Sequence, residues 1–139
     1  EIRAAGAQLQ LIGDGDIAGA LRAATGEADL LLGIGAAPEG VITATALRGI
    51  GGFFEGRLHF HKPEFRARAV EMLGDDIDRL WQRDELCTSD DAVFVATGVC
   101  DGWLPGPVAG KSGTVTTSRV ISVADSRDEI IRHEHAPAS

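Results

Sequence analysis

Two short apolar runs, each followed by a glycine-rich turn and then by apolar residues at helical spacing, constrain the fold of this sequence more than any other feature. The first unit predicts a strand over residues 8–12 and a helix over 17–25. The second predicts a strand over 29–33 and a helix over 38–50, with Pro38 at its first turn. Because short β-α-β-α connections favour parallel strands, we expect an α/β fold with a mainly parallel sheet.

The second half of the chain alternates less regularly. It predicts an exposed amphipathic helix over 63–73, then strands over 92–97, 115–123 and 128–134, with a turn at 125–127. Acidic residues that typically mark turns and helix starts are Asp75, Asp76, Asp78, Asp90 and Asp91. The tail, residues 136–139, is expected to fray.

Composition excludes several classes of protein. The 139 residues are enough for one domain with a core, and the net charge of −8 argues against sequence-independent nucleic-acid binding. The sequence shows neither an apolar run of transmembrane length nor a signal peptide. Cys87 and Cys100 are too few for a disulfide framework and indicate reduced thiols. We therefore expect a cytoplasmic protein without nucleic-acid or membrane partners.

The amino-terminal residues predict that this chain is the C-terminal piece of something longer. The first residue is Glu1 rather than Met. Residues 2–5 followed by Gly6 are typical of the last turn of a helix with its terminal glycine.

The first candidate site is the segment Gly13-Asp14-Gly15-Asp16, at the carboxyl end of the first predicted strand. Ligands bind at that edge of open α/β sheets, so Asp14 and Asp16 are candidates to hold the hydroxyls of a polar ligand, or a metal. The glycines permit close approach of the backbone. Alternatively, Asp16 caps the following helix, and for Asp16 alone this interpretation is favoured. A cap explains neither Asp14 nor the paired glycines.

The second candidate is Glu39, in the first turn of the next predicted helix. If the two β-α units are adjacent, Glu39 converges with Asp14 and Asp16 at one edge of the sheet. Three carboxylates from neighbouring loops suit a hard cation or a polyol. The alternative is a favourable interaction of Glu39 with the helix dipole, and the pattern alone leaves both open.

Two glycine-rich segments resemble nucleotide-binding motifs but do not match them. Pro38 occupies the third glycine position of the dinucleotide pattern that begins at Gly33. Residues 106–112 are one residue short of a P-loop and precede a strand rather than a helix. A nucleotide-binding domain is therefore disfavoured. The pairs His59/His61 and His133/His135 make zinc conceivable, although solvent-facing pairs are commoner.

Taken together, the motifs form a recognisable series. In chain order they read LIGDGDIAGAL, LLLGIGAAPEGVITATALRGIGG, EGRL, SDDAVFVATGVCDGWL, TVTTSRVIS and IIRHEH. This series resembles the class II fructose-1,6-bisphosphatases over essentially the whole chain, from Ile2 to about His135. The combination of DGD with GIGxxPEG at this separation is specific.

The resemblance implies a layered α/β fold of the lithium-sensitive, metal-dependent sugar phosphatases. It implies hydrolysis of the 1-phosphate of fructose 1,6-bisphosphate with Mg²⁺ or Mn²⁺, and in some members of sedoheptulose 1,7-bisphosphate. It places substrate contacts at Asp14, Gly15 and Asp16, and at Ala36, where the family usually has glycine. A backbone contact survives that change, whereas a positive φ would strain alanine. Glu39 is implied as a metal ligand.

The resemblance also implies residues that this chain lacks. Most metal-binding acids, a threonine associated with the attacking water and a Lys/Arg phosphate motif lie in an N-terminal half. We therefore expect no catalytic residue here and no activity from this segment alone. A cytoplasmic homo-oligomer, a dimer or tetramer, working in gluconeogenesis or glycerol metabolism is implied. The alternatives are an inositol phosphate phosphatase of the same fold and a truncated, non-catalytic module that binds sugar phosphates.

Overall fold

The computed structural model describes residues 1–74 and 76–137 of the chain, which contain both helices and strands. The helices are α1 (Asp16–Ala24), α2 (Ala37–Ile50), α3 (Pro63–Leu73) and α4 (Arg83–Leu86), with 3₁₀ turns at Arg3–Ala5 and Asp76–Asp78. The strands are β1 (Glu55–Gly56), β2 (Trp81–Gln82), β3 (Val93–Thr97), β4 (Val108–Ala109), β5 (Thr114–Ser122) and β6 (Asp128–His135). The predictions for Asp75 and for the end of the tail lie outside the described residues.

Strand β5 organises the main sheet. Along one edge it pairs with the whole length of β6, from Thr114 opposite His135 to Ile121 opposite Asp128. It also pairs with β3 and with β4, at opposite ends of β5. All these pairings are antiparallel, as is the separate two-stranded ribbon of β1 and β2. The protein is therefore a mixed α/β structure.

The expected parallel sheet is wrong for the described part of the chain. Residues 8–12 and 29–33 form neither helix nor strand, and neither segment pairs with a strand within the described residues. Both segments are apolar in sequence, which is why strands were expected, yet Leu11 is 80% exposed and Leu32 is 74% exposed. An apolar alternation predicts burial and pairing, and these segments find neither within the described residues. Each nevertheless touches α1, since a Cβ on Gly19 would lie 3.1 Å from Ile12 Cδ1 and 3.3 Å from Leu31 Cδ1.

The remaining element predictions agree with the structure to within a residue or two. Helices α1, α2 and α3 and strands β3, β5 and β6 lie where the periodicity places them. The predicted turn between β5 and β6 is present, with Ser126 at a left-handed φ of 52°. Near the start of the chain, Gly6 closes a helical turn at φ 84°, as its position after residues 2–5 predicts.

The core lies between helices α1 and α2 and one face of the main sheet. It is formed by Leu21 of α1, Ala46 and Leu47 of α2, Phe94 of β3 and Ile121 of β5. Burying a leucine or phenylalanine side chain stabilises the fold by about 1.5–3 kcal/mol. This cluster therefore fixes α1, and with it the loop that begins α1, against the sheet. No helix within residues 1–74 and 76–137 has the length and apolar character needed to cross a membrane.

Candidate functional site

The loop that leads into α1 presents the first two candidate carboxylates. Gly15 is the residue at the N-cap of α1 and has φ 83° and ψ 39°, a left-handed conformation that favours glycine. Its backbone N–H donates to Asp14 Oδ1 at 2.7 Å. Asp14 and Asp16 are both exposed. The sequence of glycines and acids therefore builds a turn that displays two carboxylates to solvent at the helix end.

The interpretation of Asp16 as the helix cap is wrong. Asp16 is the first helical residue, Gly15 precedes it at the cap, and no side chain donates or accepts a capping hydrogen bond at this end. Its carboxylate reaches instead toward the second glycine-rich loop. A Cβ placed on Gly35 would lie only 2.6 Å from Asp16 Oδ2, so the glycine is what permits this approach. The two glycine-rich loops thus approach each other at Asp16 and Gly35.

Ala36 lies at the N-cap of α2, directly after Gly35. Its φ of −82° and ψ of 153° are extended backbone, which any residue adopts. The backbone at this position does not have a positive φ, so alanine is unstrained here.

Glu39 lies in the first turn of α2 and is exposed. Among residues 1–74 and 76–137, no three His, Cys, Asp or Glu side chains come together to hold a metal ion. The expected three-carboxylate cation site of Asp14, Asp16 and Glu39 is therefore not formed by these side chains alone. Mg²⁺ and Mn²⁺ favour octahedral oxygen coordination, so Glu39 fits as one ligand of a set and not as a complete site.

A cleft of about 570 Å³ opens beside the Asp14 loop. Asp14 and Gly15 lie on one side of it, and Gly102 and Trp103, from the loop between β3 and β4, also line it. Arg22 and Glu27, also in the lining, form an ion pair with Arg22 Nε 3.2 Å from Glu27 Oε2. The cleft therefore combines carboxylates, one paired cation and one indole ring.

Trp103 is not among the candidate residues that the sequence motifs predict, although it lines the cleft. Its only local signal is that Asp101-Gly102-Trp103 follows the predicted strand 92–97, in a loop, where ligand contacts are common. Trp103 and Asp14 line the same cleft although they are far apart in the chain, and periodicity does not report such an arrangement. The other tryptophan, Trp81, is half-buried, with the Arg79 guanidinium 3.8 Å from its ring centre.

An ion pair on the sheet, between buried Arg119 and exposed Asp128, lies beside Trp103. Arg119 donates from Nε to Asp128 Oδ1 at 2.8 Å and from Nη2 to Asp128 Oδ2 at 2.6 Å. These bonds lower the pKa of the Asp128 carboxyl below its ordinary value, although partial burial opposes that shift. The same Arg119 lies 5.2 Å from the centre of the Trp103 ring. The indole is therefore held by a charged group that is itself fixed by two hydrogen bonds.

The histidine pairs do not form metal sites within the described residues. The rings of His59 and His61 contact each other edge to face at 4.9 Å, and those of His133 and His135 at 4.6 Å. His135 Nε2 also shares a 2.9 Å hydrogen bond with Thr116 Oγ1. Within the described residues, neither pair has a third side chain with which to bind zinc. Cys87 and Cys100 are free thiols.

The comparison with known proteins decides the family. Residues 1–136 match the family model of bacterial fructose-1,6-bisphosphatase, glpX-encoded. The chain belongs to this family. The family resemblance of the sequence motifs is thereby confirmed, and the two loops that meet at Asp16 and Gly35 are part of the matched region.

Curated relatives give the same picture. The D-fructose 1,6-bisphosphatase class 2/sedoheptulose 1,7-bisphosphatase of Synechococcus sp. (strain RCC307) is 42% identical, over 90% of this chain and 42% of that protein. The proteins of the same name from Synechococcus sp. (strain JA-3-3Ab) and Acaryochloris marina (strain MBIC 11017) are each 38% identical. They match 91% and 90% of this chain, and 41% and 42% of their own length. The chain thus spans about two fifths of the length of these relatives.

Proposed function

We propose that this chain is the substrate-orienting, C-terminal part of a metal-dependent phosphatase that hydrolyses fructose 1,6-bisphosphate to fructose 6-phosphate and phosphate. The observation that carries the proposal is the family match over residues 1–136. The approach of Asp16 to Gly35 adds support, because it joins the two loops that the family resemblance marks as functional. The names of the relatives add sedoheptulose 1,7-bisphosphate as a second substrate.

In this proposal the carboxylates of Asp14 and Asp16 accept hydrogen bonds from hydroxyl groups of the sugar. Charge-assisted hydrogen bonds of this kind are about twice as strong as neutral ones, and two of them fix the orientation of a sugar ring. Gly15 and Ala36 contribute backbone contacts, for which the left-handed turn at Gly15 and the extended backbone at Ala36 leave room. Orientation of the bound substrate is itself a source of rate enhancement.

Glu39 is proposed as one ligand of a Mn²⁺ or Mg²⁺ ion, with the remaining ligands supplied from outside the described residues. Its position in the first turn of α2 leaves the carboxylate exposed and free to coordinate. We further propose the layered fold of the lithium-sensitive sugar phosphatases for the complete protein, a cytoplasmic homo-oligomer, and a role in gluconeogenesis. The acidic surface, with a net charge of −8, is in keeping with a small-molecule substrate rather than nucleic acid.

A second candidate is a module that binds sugar phosphates without turnover. It is favoured by one observation, the lack of any three-residue metal-binding group among residues 1–74 and 76–137. The two candidates differ in whether bound substrate is hydrolysed, and they share the ligand contacts at Asp14 and Asp16.

The test is Mn²⁺-dependent phosphate release from fructose 1,6-bisphosphate by the natural polypeptide in which these residues occur. Glu39→Gln is compared with Glu64→Gln, because both glutamates follow a proline in the first turn of an exposed helix end. We expect Glu39→Gln to abolish most of the activity at low Mn²⁺ and to recover part of it at high Mn²⁺, while Glu64→Gln behaves as wild type.

Equal activity of the two variants would remove Glu39 from the metal site. Binding of fructose 6-phosphate by the wild type without any turnover would favour the non-catalytic module. Turnover of an inositol phosphate in place of fructose 1,6-bisphosphate would overturn the proposed substrate.

A further inference from the structure

The loop between β3 and β4, residues 98–106, is fastened at several points and is here named the tryptophan loop. At its start, Gly98 N–H donates to Thr117 O of β5 at 3.0 Å. Near its end, Gly106 N–H donates to Asp101 Oδ1 at 3.0 Å, and a Cβ on Gly106 would lie 2.9 Å from the carbonyl carbon of Cys100. The loop is therefore folded tightly upon itself, and its geometry is set before any ligand arrives.

Trp103 is the residue through which this loop reaches the cleft. It is half-buried and packs against the core cluster that contains Leu21 and Ile121. Arg119, held by Asp128, lies 5.2 Å from the ring centre. An aromatic ring held in this way loses little conformational freedom when a ligand binds, which favours affinity.

The charges in the cleft suit a neutral, hydroxyl-bearing part of a ligand. Arg22 is already paired with Glu27, so the cation that lines the cleft is compensated. Asp14 adds a negative charge on the same lining. A phosphate group entering here would meet two carboxylates and a cation that is already paired, whereas hydroxyl groups would find acceptors. Binding sites commonly combine a few such polar groups with aromatic surface.

We propose that Trp103 is a specificity-determining residue whose indole packs against the C–H face of the sugar ring, while Asp14 accepts hydrogen bonds from its hydroxyls. This inference rests on the proposed function, because it assigns the sugar of that substrate to this cleft. A furanose ring has both an apolar C–H face and hydroxyl edges, and the cleft offers a matching surface for each. The phosphate that is cleaved lies away from the indole.

The experiment measures the dissociation constants of fructose 6-phosphate and of inorganic phosphate by calorimetry, on the natural polypeptide that contains these residues. Covering roughly 60 Å² of apolar surface is worth about tenfold in affinity. We expect Trp103→Ala to weaken fructose 6-phosphate about tenfold and to leave phosphate unchanged, with partial recovery in Trp103→Phe. Trp81→Phe is the matched control, because Trp81 lies in the β1–β2 ribbon and does not line the cleft.

The outcomes separate the two proposals. If wild type binds fructose 6-phosphate and Trp103→Ala binds it equally well, the role of Trp103 is refuted and the proposed function stands. If Trp103→Ala weakens sugar phosphate and inorganic phosphate alike, Trp103 is only a structural support, and the inference is again refuted. If wild type does not bind fructose 6-phosphate, this inference is overturned, whereas the proposed function is overturned only if wild type releases no phosphate from fructose 1,6-bisphosphate.

Discussion

The replacement Gly35→Ala tests whether the meeting of the two loops matters for binding. A Cβ at this position would lie 2.6 Å from Asp16 Oδ2, whereas ordinary contact begins at 3.4 Å. The carboxylate of Asp16 must therefore move by about 0.8 Å or rotate away. Gly35 is not among the glycines with positive φ, so alanine itself is not strained there.

The expected cost falls on substrate affinity and not on stability. A charge-assisted hydrogen bond contributes about 1.5–3 kcal/mol, so its loss corresponds to roughly a 10- to 100-fold drop in kcat/KM for fructose 1,6-bisphosphate. The melting temperature is expected to stay the same or to rise slightly, because alanine restricts the unfolded chain. Gly33→Ala is the matched control, since a Cβ at Gly33 meets nothing within 4 Å.

The reasoning is refuted if Gly35→Ala and Gly33→Ala have the same kcat/KM. A double-mutant cycle sharpens the assay, because the effect of Gly35→Ala acts through the carboxylate of Asp16. In an Asp16→Asn background the kinetic cost of Gly35→Ala is expected to shrink, as coupled neighbours are not additive. Undiminished cost in that background would place the defect elsewhere in the loop.

Two further predictions concern stability. Gly15→Ala, at φ 83°, is expected to lower the free energy of unfolding by about 1–2 kcal/mol in denaturant titrations. Gly13→Ala is the control, because Gly13 is not at positive φ. Equal free energies of unfolding for the two variants would contradict the left-handed turn. The Asp128 pKa lies below its ordinary value because Arg119 donates to it. The pair therefore stabilises the fold above the unfolded pKa of about 4, and this stabilisation disappears as pH falls through the folded pKa. Melting temperature should fall less steeply below about pH 4 in Asp128→Asn than in wild type, and parallel curves would refute the assignment.

The local signals in the sequence predict the elements that local chemistry determines. Helices α1 to α3 follow from spacing and from proline and glycine at their ends, and β5 follows from its β-branched residues. Residues 8–12 and 29–33 were mistaken for paired strands because apolar alternation signals a partner without saying where that partner lies.

The candidate site also has parts that the sequence predicts and parts that it does not. The two acidic and glycine-rich loops are visible in the sequence because each is a contiguous motif. They approach each other at Asp16 and Gly35, but the strands from which their convergence was predicted are not formed within the described residues, and the cap interpretation of Asp16 was wrong by one residue. Trp103 and its support by Arg119 depend on strands far apart in the chain, and no local pattern reports such contacts.

The unpaired segments 8–12 and 29–34 also determine which backbone amides are protected from hydrogen exchange. Within the described residues, the amides of 8–12 and 29–34 donate no backbone hydrogen bond, whereas β5 is bonded along both of its edges. Hydrogen exchange at an amide without such a bond needs no opening of the fold, so these amides exchange close to the rate of a free peptide. Two leucine-containing stretches of the chain are thus unprotected, and its slowest-exchanging amides are expected in the polar, threonine-rich strand β5.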